Sequence, residues 1–345
     1  EIADIIQPEM IKHGVKLILG HQVSRVAAVG HKVILDDGTE LNADLLFLAS
    51  GVFPNSKLAQ GAGIKTTADD HILVDQHLKT NLWNIFAIGD VIETRSYITG
   101  QPIPSLLSTA ANRQGHLLAD ILAGLDYSYP GFIGTGAVKS FNLTTSYVGY
   151  TENALQAAGI TNYKSIFITP FDHAYFYPGA KRVNFKLTFE VPSGKILGGQ
   201  AVGKAGIDKR ISQLSVAISG HMTVFDLPQL EIPYSPPYSS TRDVLNIAGY
   251  VAIHQLEDKL QVVKASELTR GDLRDGYFLD IREPGKPKSG SIKVTANIPL
   301  SELRKHLNEI PSHRKIFITF RKGIAPYNAA TILKGRGFDV TMISE

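Results

Sequence analysis

Two stretches carry residue types and spacing that could do chemistry. In the first, the apolar run Asn84-Ile85-Phe86-Ala87-Ile88 ends abruptly in Gly89-Asp90, and a segment opening at Pro104-Ser105 follows after a loop. The run predicts a short buried strand of a parallel sheet, whose carboxyl edge is where such sheets present ligand-facing groups. Gly89 has no Cβ and lets a ligand approach the backbone, while Asp90 offers an acceptor-only carboxylate suited to a sugar or polyol hydroxyl. The same Gly-Asp pair also closes ordinary turns. The downstream segment predicts a helix from Pro104 through Leu122, whose first turn would present free N–H groups and the positive end of the helix dipole.

The second stretch is split in sequence. Tyr177 lies in Phe176-Tyr177-Pro178-Gly179-Ala180, and Tyr234 and Tyr238 lie in Tyr234-Ser235-Pro236-Pro237-Tyr238-Ser239-Ser240. A phenol hydroxyl both donates and accepts hydrogen bonds, and buried tyrosines at domain interfaces mostly serve by packing their rings with one structural hydrogen bond. His173, just upstream, either lines the same cleft or caps the loop. His13, His31, His116, His221, His254, His306 and His313 fall in separate segments without metal-ligand spacing, and no metal site is expected. The chain has no cysteine, which excludes thiolate nucleophiles, cysteine metal sites and disulfide staples within it. Any thiol chemistry must come from elsewhere.

The elements that would position these groups follow in order. Glu1 to His13 predicts a helix closed by a left-handed Gly14, followed by a strand Val15–Leu19. Candidate strands Val23–Val29 and Lys32–Leu35 and a turn at Asp36-Asp37-Gly38-Thr39 come next. A buried strand Ala43–Ala49 then leads into the turn Ser50-Gly51-Val52-Phe53-Pro54-Asn55. Tyr129-Pro130-Gly131 marks a boundary. Beyond it, strands 138–143, 145–149, 165–168, 184–191 and 195–202 with a helix at 151–159 form an α+β pattern, the last two strands joined by a tight Ser193-Gly194 hairpin. After a polar connector, Tyr277–Arg282, Ala296–Leu300, Lys315–Thr319 and a helix from Tyr327 to Lys334 alternate as an α/β module.

The motif Ala87-Ile88-Gly89-Asp90 followed by Ala111-Asn112-Arg113-Gln114-Gly115 resembles the flavin-dependent pyridine nucleotide-disulfide oxidoreductases. The resemblance implies that Asp90 holds the flavin ribityl chain, that the helix start at Ala110, Ala111 and Asn112 faces the flavin pyrimidine carbonyl, and that Gly89 and Gly51 belong to the cofactor-binding set. Gly51 enters through its Gly-apolar-x-Pro-Asn turn. The middle segment is similar to the dimerisation domain of the coenzyme A disulfide reductase and NADH oxidase branch. Tyr177-Pro178-Gly179-Ala180, Ile196-Leu197-Gly198-Gly199, Gly206-Ile207-Asp208-Lys209-Arg210 and Tyr234–Ser240 carry that similarity. In that branch, tyrosines of one subunit serve the reactive cysteine of the other, which would be Tyr234 and, from the Phe176-Tyr177 pair, Tyr177. If the role belongs to the first member of the pair, Phe176 has no hydroxyl to give. Lys209-Arg210 is expected to form a loop or interface ion pair, with a coenzyme A phosphate as the alternative partner.

The last module resembles a rhodanese-like domain. Its expected persulfide loop aligns with Phe320-Arg321-Lys322-Gly323-Ile324-Ala325, where phenylalanine replaces the nucleophilic cysteine and excludes persulfide transfer. No G-x-G-x-x-G follows a strand anywhere, so both dinucleotide fingerprints would lie upstream, and the chain is expected to be a C-terminal portion of a longer flavoprotein.

The expected fold is therefore multidomain, α/β and α+β. Residues 1–55 form the tail of a nicotinamide-nucleotide domain, 56–128 the C-terminal half of an FAD domain, 129–256 a dimerisation domain and 257–345 a rhodanese-like domain. A net charge of +3 without basic runs gives no reason to expect nucleic acid, and no apolar run approaches a membrane span. A cytoplasmic homodimer using FAD and NAD(P)H, with coenzyme A as a further ligand, is implied. It would reduce a small-molecule disulfide such as coenzyme A disulfide or a polysulfide. The alternatives are an NADH oxidase reducing oxygen and a catalytically inert dimerisation or interaction fragment.

Overall fold

The computed structural model describes residues 2–27, 31–257, 259, 261–284, 293–319 and 324–344. The chain divides into two compact units, Ala3–Gly134 and Thr135–Glu345.

The first unit begins with α1 (Ala3–Lys12), closed as expected by Gly14 at φ +86°, with the Val15 N–H donating back to the Met10 carbonyl at 3.1 Å. Strands β1 (Val23–Ala27), β2 (Lys32–Leu35) and β3 (Glu40–Asn42) form an antiparallel sheet in that order. The expected strands Val15–Leu19 and Ala43–Ala49 are not formed among the described residues. A buried parallel strand needs a neighbour on each edge, and none is present here, so Leu45, Phe47 and Leu48 stand 71%, 82% and 75% exposed. After α2 (Lys57–Gly61), β4 (Ile72–Leu73) pairs parallel with β5 (Ile92–Arg95), which pairs antiparallel with β6 (Pro102–Pro104).

The predicted helix start at Pro104 is thus corrected. Two prolines suit an edge strand, and α3 runs Ser108–Leu122 behind the N-cap Leu107. The predicted strand Asn84–Ile88 is also corrected to extended chain. It keeps one isolated bridge, Lys79 to Phe86, and one bond from the Ala87 N–H to the Leu78 carbonyl, and Ile85, Ala87 and Ile88 pack around Ile64, Ile72, Leu78 and Ile92.

The second unit opens with β7 (Thr135–Ser140), β8 (Leu143–Gly149), α4 (Glu152–Ala157, N-capped by Thr151), β9 (Tyr163–Ile168), β10 (Val183–Glu190) and β11 (Ile196–Gly203). These strands form an antiparallel sheet ordered β7-β8-β11-β10-β9. Alternation along β10 buries Val183, Phe185, Leu187 and Phe189 completely, as a period-two pattern with one core face requires. Helix α5 (Ile207–Ser219) lies close on β11 because Gly199 carries no side chain; a Cβ there would come within 2.4 Å of Leu214. The β10–β11 hairpin is wider than the expected two-residue turn, closing with the Glu190 N–H on the Lys195 carbonyl. Helix α6 (Val244–Leu256) starts in a capping box formed by Asp243 and Asn246.

The remaining elements are β12 (Gln261–Lys264), α7 (Arg270–Asp275), β13 (Tyr277–Asp280), β14 (Ala296–Asn297), β15 (Ile316–Thr319), α8 (Ile324–Lys334) and β16 (Val340–Ser344). They form a parallel sheet ordered β12-β16-β15-β13-β14, the α/β module expected from the alternating pattern. The end of β13 is stapled by Asp280 to Arg282 at 2.5 Å, with the Asn297 amide donating to both residues' carbonyls at 2.9 Å. Residues 320–323 of the cysteine-less loop lie outside the described residues.

Candidate functional site

In the first unit, the turn at Gly89 and the start of α3 form one corner. Gly89 has φ +81°, a conformation that glycine adopts without strain, and it opens a short 3-10 turn, Gly89–Val91. Its N–H donates to Gln114 Oε1 at 2.7 Å, and Gln114 Nε2 donates to Ser105 Oγ at 3.1 Å. Gln114 and Ser105 are fully buried, so a buried side-chain bridge ties the turn, the pre-helix loop and the helix together. A Cβ on Gly89 would lie 3.7 Å from the Ala111 Cβ, which places these two expected site residues side by side.

Asp90 follows on the exposed side of the turn, and its carboxylate has no hydrogen bond or ion pair among the described residues. The helix mouth lacks a side-chain cap, and the Ala110 and Ala111 N–H groups are engaged by the Leu107 carbonyl at 2.9 and 3.1 Å. The open amides are therefore those of Ser108 and Thr109, with Ala110 buried beneath and Asn112 exposed. This corrects the expectation that Ala110, Ala111 and Asn112 form the mouth. Gly51 lies in an exposed irregular stretch at φ +120°, and no hydrogen bond ties it to this corner among the described residues.

The second unit gathers both tyrosine loops. Arg210, on α5, is fully buried. It pairs through Nη2 with Asp243 Oδ2 at 2.7 Å, and it also donates to the Asp172 carbonyl at 2.6 Å and to the Gly206 carbonyl at 2.9 Å. Asp243 in turn accepts from Ser239 Oγ at 2.6 Å. Burial alone would raise the Asp243 pKa, but the Arg210 hydrogen bonds and charge and the Ser239 hydroxyl hold it below the ordinary carboxylate value.

One cation thus fixes the start of the 171–180 loop and, through Asp243, the end of the 234–240 loop. The loops also meet directly, since the Ala174 N–H donates to the Pro236 carbonyl at 3.2 Å. From them Tyr234 and Tyr177 project at 44% and 42% exposure, with Tyr175, Phe176 and Tyr238 more open still. Lys209 Nζ donates to the Tyr238 carbonyl at 2.7 Å; burial, followed by the Arg210 charge, lowers its pKa. Arg182 stacks over Phe171 at 3.8 Å.

Separation in sequence hid two features. Arg210 and Asp243 are far apart in the chain, and the sequence placed Arg210 in a loop pair rather than a buried one. The β1–β2 fold-back brings His21, Asp36 and Asp37 together, with ligand atoms within 4.8 Å of one another. All three are exposed, and the His21 to Asp36 hydrogen bond at 2.9 Å accounts for the arrangement. Among the described residues, no helix is long and apolar enough to cross a membrane.

Comparison with known proteins agrees with this organisation. Residues 1–115 match the pyridine nucleotide-disulphide oxidoreductase model, and residues 135–244 match the dimerisation-domain model of the same proteins. A coenzyme A disulfide reductase of Staphylococcus aureus is 34% identical over 254 residues, covering 72% of this chain and 57% of its own. The solved structure of reduced Bacillus anthracis CoADR-RHD superimposes with a TM-score of 0.93 at 38% identity, covering 99% of this chain and 61% of that one. A NAD-dependent persulfide reductase from A. fulgidus gives a TM-score of 0.89 at 30% identity, covering 100% of this chain and 63% of that one. The chain spans about three fifths of the length of the relatives it matches.

Proposed function

The chain belongs to the pyridine nucleotide-disulphide oxidoreductase family, and from that membership we propose that it is the C-terminal portion of an FAD-dependent NAD(P)H oxidoreductase that reduces a disulfide. The acceptor is coenzyme A disulfide or a persulfide or polysulfide, in line with its coenzyme A disulfide reductase and persulfide reductase relatives. The observation that carries this reading is the Gly89–Ala111 corner. An uncommitted carboxylate and the uncapped mouth of a fifteen-residue helix stand on either side of a glycine turn.

These residues fit the group. Asp90 would accept from a polyol hydroxyl, and the Ser108 and Thr109 amides would face the electron-rich edge of the ring, where a helix N-terminus contributes about 0.3–2 kcal/mol toward negative charge. Bound there, FAD supplies the two-electron link between NAD(P)H and the acceptor. Gly51 contributes to the nucleotide side through its turn.

The chain's own part in the acceptor reaction falls to Tyr234 and Tyr177, delivered to a partner subunit's cleft in a homodimer. Since the chain has no cysteine, the redox thiol lies outside it. Segments 1–55, 56–128, 129–256 and 257–345 serve as nicotinamide-domain tail, FAD-domain half, dimerisation domain and rhodanese-like module. The last of these acts as an interaction unit without persulfide transfer, because phenylalanine stands at position 320. The exposed apolar residues Leu45, Phe47 and Leu48 support the portion reading, as a strand pattern that lacks neighbours.

Anaerobic titration of the full-length protein with NADH or NADPH, followed by addition of coenzyme A disulfide, tests the proposal. Bleaching of flavin absorbance and its return with the disulfide are expected. A colourless protein, or one whose reduced flavin ignores every disulfide, would overturn it.

A further inference from the structure

The turn that presents Asp90 is loose by its own chemistry. Gly89 sits at φ +81°, and a glycine populates positive and negative φ about equally, so the residue itself does not fix the direction in which Asp90 leaves it. Gly89 also opens the 3-10 turn Gly89–Val91, where the first N–H groups have no partner inside the turn, and the preceding Ile88 offers no side-chain cap.

The missing partner comes from α3. Gln114 Oε1 accepts the Gly89 N–H at 2.7 Å, and Gln114 Nε2 donates to Ser105 Oγ at 3.1 Å. A backbone N–H can only donate, so the first bond decides which way the amide faces and turns its nitrogen to Ser105. Gln114 and Ser105 are both 0% exposed, and water does not compete for the bond between them. Small residues let the helix come near enough for this reach. A Cβ on Gly89 would lie 3.7 Å from the Ala111 Cβ, and one on Gly115 would lie 3.8 Å from Ile88 Cδ1. Asp90 is exposed while Gln114 is sealed off, so Gln114 acts on a ligand at that carboxylate through the backbone of the turn.

We propose that Gln114 is a positioning residue for FAD: its bond to the Gly89 N–H holds the turn so that Asp90 meets the polyol hydroxyl, and Gln114 itself does not touch the cofactor. This deepens the proposed function and rests on the placement of FAD at this corner. A turn without that restraint spreads the carboxylate over several directions, and apparent affinity then falls by the fraction of molecules in the competent one. Gln114 thus contributes to affinity by preorganisation, and Ser105 keeps the amide from swinging away.

The test titrates the flavin-free full-length protein with FAD and reads the melting temperature of the same preparation. Gln114→Met keeps the length and removes both bonds. Gln114→Glu, kept neutral by burial, still accepts from Gly89 and donates to Ser105. Gln114→Met should raise the FAD dissociation constant at least about tenfold, and Gln114→Glu should stay within about threefold of the parent. Adding Gln114→Met to Asp90→Ala should change that variant's constant by less than about twofold, because the carboxylate being positioned is gone. A lower melting temperature with an unchanged FAD constant would leave Gln114 a structural residue only and overturn the inference. So would equal losses with and without Asp90, or a Gln114→Glu variant as weak as Gln114→Met. The proposed function would stand in each of these cases. A parent protein that takes up no FAD would remove the function and the inference together. Should Gln114→Met fail to fold, Ser105→Ala, which frees the far end of the amide, carries the same comparison.

Discussion

Arg210 and Asp243 form an ion pair 2.7 Å apart with both side chains 1% exposed, and every aromatic residue of the candidate acceptor site hangs from loops that this pair secures. Such a pair is costly to break, because removing one partner strands the other charge in a low-dielectric interior. Asp243→Ala is expected to destabilise the second unit by about 3–5 kcal/mol in denaturant unfolding. Replacing both residues with apolar ones should cost less than Asp243→Ala alone. A double variant less stable than the single would contradict this account.

The same pair sets an acid limit. The folded pKa of Asp243 lies below its ordinary value, so the unfolded chain takes up the proton first. Its stabilising contribution is complete above roughly pH 4 and fades as pH falls through the depressed folded value. Unfolding scans between neutral and acidic pH should show that loss, and Asp243→Asn should remove this part of the slope.

In the first unit, Gln114→Ala would leave the Gly89 N–H and the Ser105 hydroxyl without the partner that joins them. A loss of about 1–3 kcal/mol is expected for an unpaired buried donor. Thermal unfolding measures it, and an unchanged melting temperature would show that the bridge is dispensable.

A third contact joins α6 to the parallel-sheet module. The Tyr327 hydroxyl lies 2.5 Å from His254 Nδ1, with the rings stacked at 5.5 Å. Burial, followed by the Lys259 charge, lowers the His254 pKa, so the folded state favours the neutral imidazole that can accept from the phenol. The contribution is full above the ordinary histidine value near ~6.5 and is lost as pH falls through the lower folded value. Amide exchange in α8 should therefore quicken on mild acidification, and Tyr327→Phe should quicken it at neutral pH. Exchange independent of pH and of Tyr327 would count against the contact.

Tyr234 is separable from the fold because it is half exposed. Tyr234→Phe should leave the unfolding free energy within about 0.5 kcal/mol of the parent, as surface changes do, while slowing disulfide turnover. Undiminished turnover would reduce it to a packing residue.

How much of this is legible in the chain depends on the range of the interactions. Helix α1 with its Gly14 stop, the Thr151 cap of α4 and the alternating β10 are local signals, and they appear where the residues place them. Ala43–Ala49 has the apolar pattern of a parallel strand, but pattern supplies no hydrogen-bonding neighbour, and the segment stays irregular. Pro102 and Pro104 read as a helix opening, yet they pair with β5 because an edge strand tolerates a missing donor. The Gly89–Ala111 contact follows from the motif. The bridge through Gln114 and the Arg210–Asp243 pair join residues distant in sequence, and no local spacing announces them.

The most direct measurement is the flavin content of full-length Asp90→Ala beside the parent, by absorbance after exhaustive dialysis. Losing a hydrogen bond to a charged acceptor, about 1.5–3 kcal/mol, predicts FAD retention weaker by roughly tenfold to a hundredfold. Equal flavin stoichiometry and equal dissociation rates in the two proteins would contradict the placement of the cofactor at the Gly89–Ala111 corner.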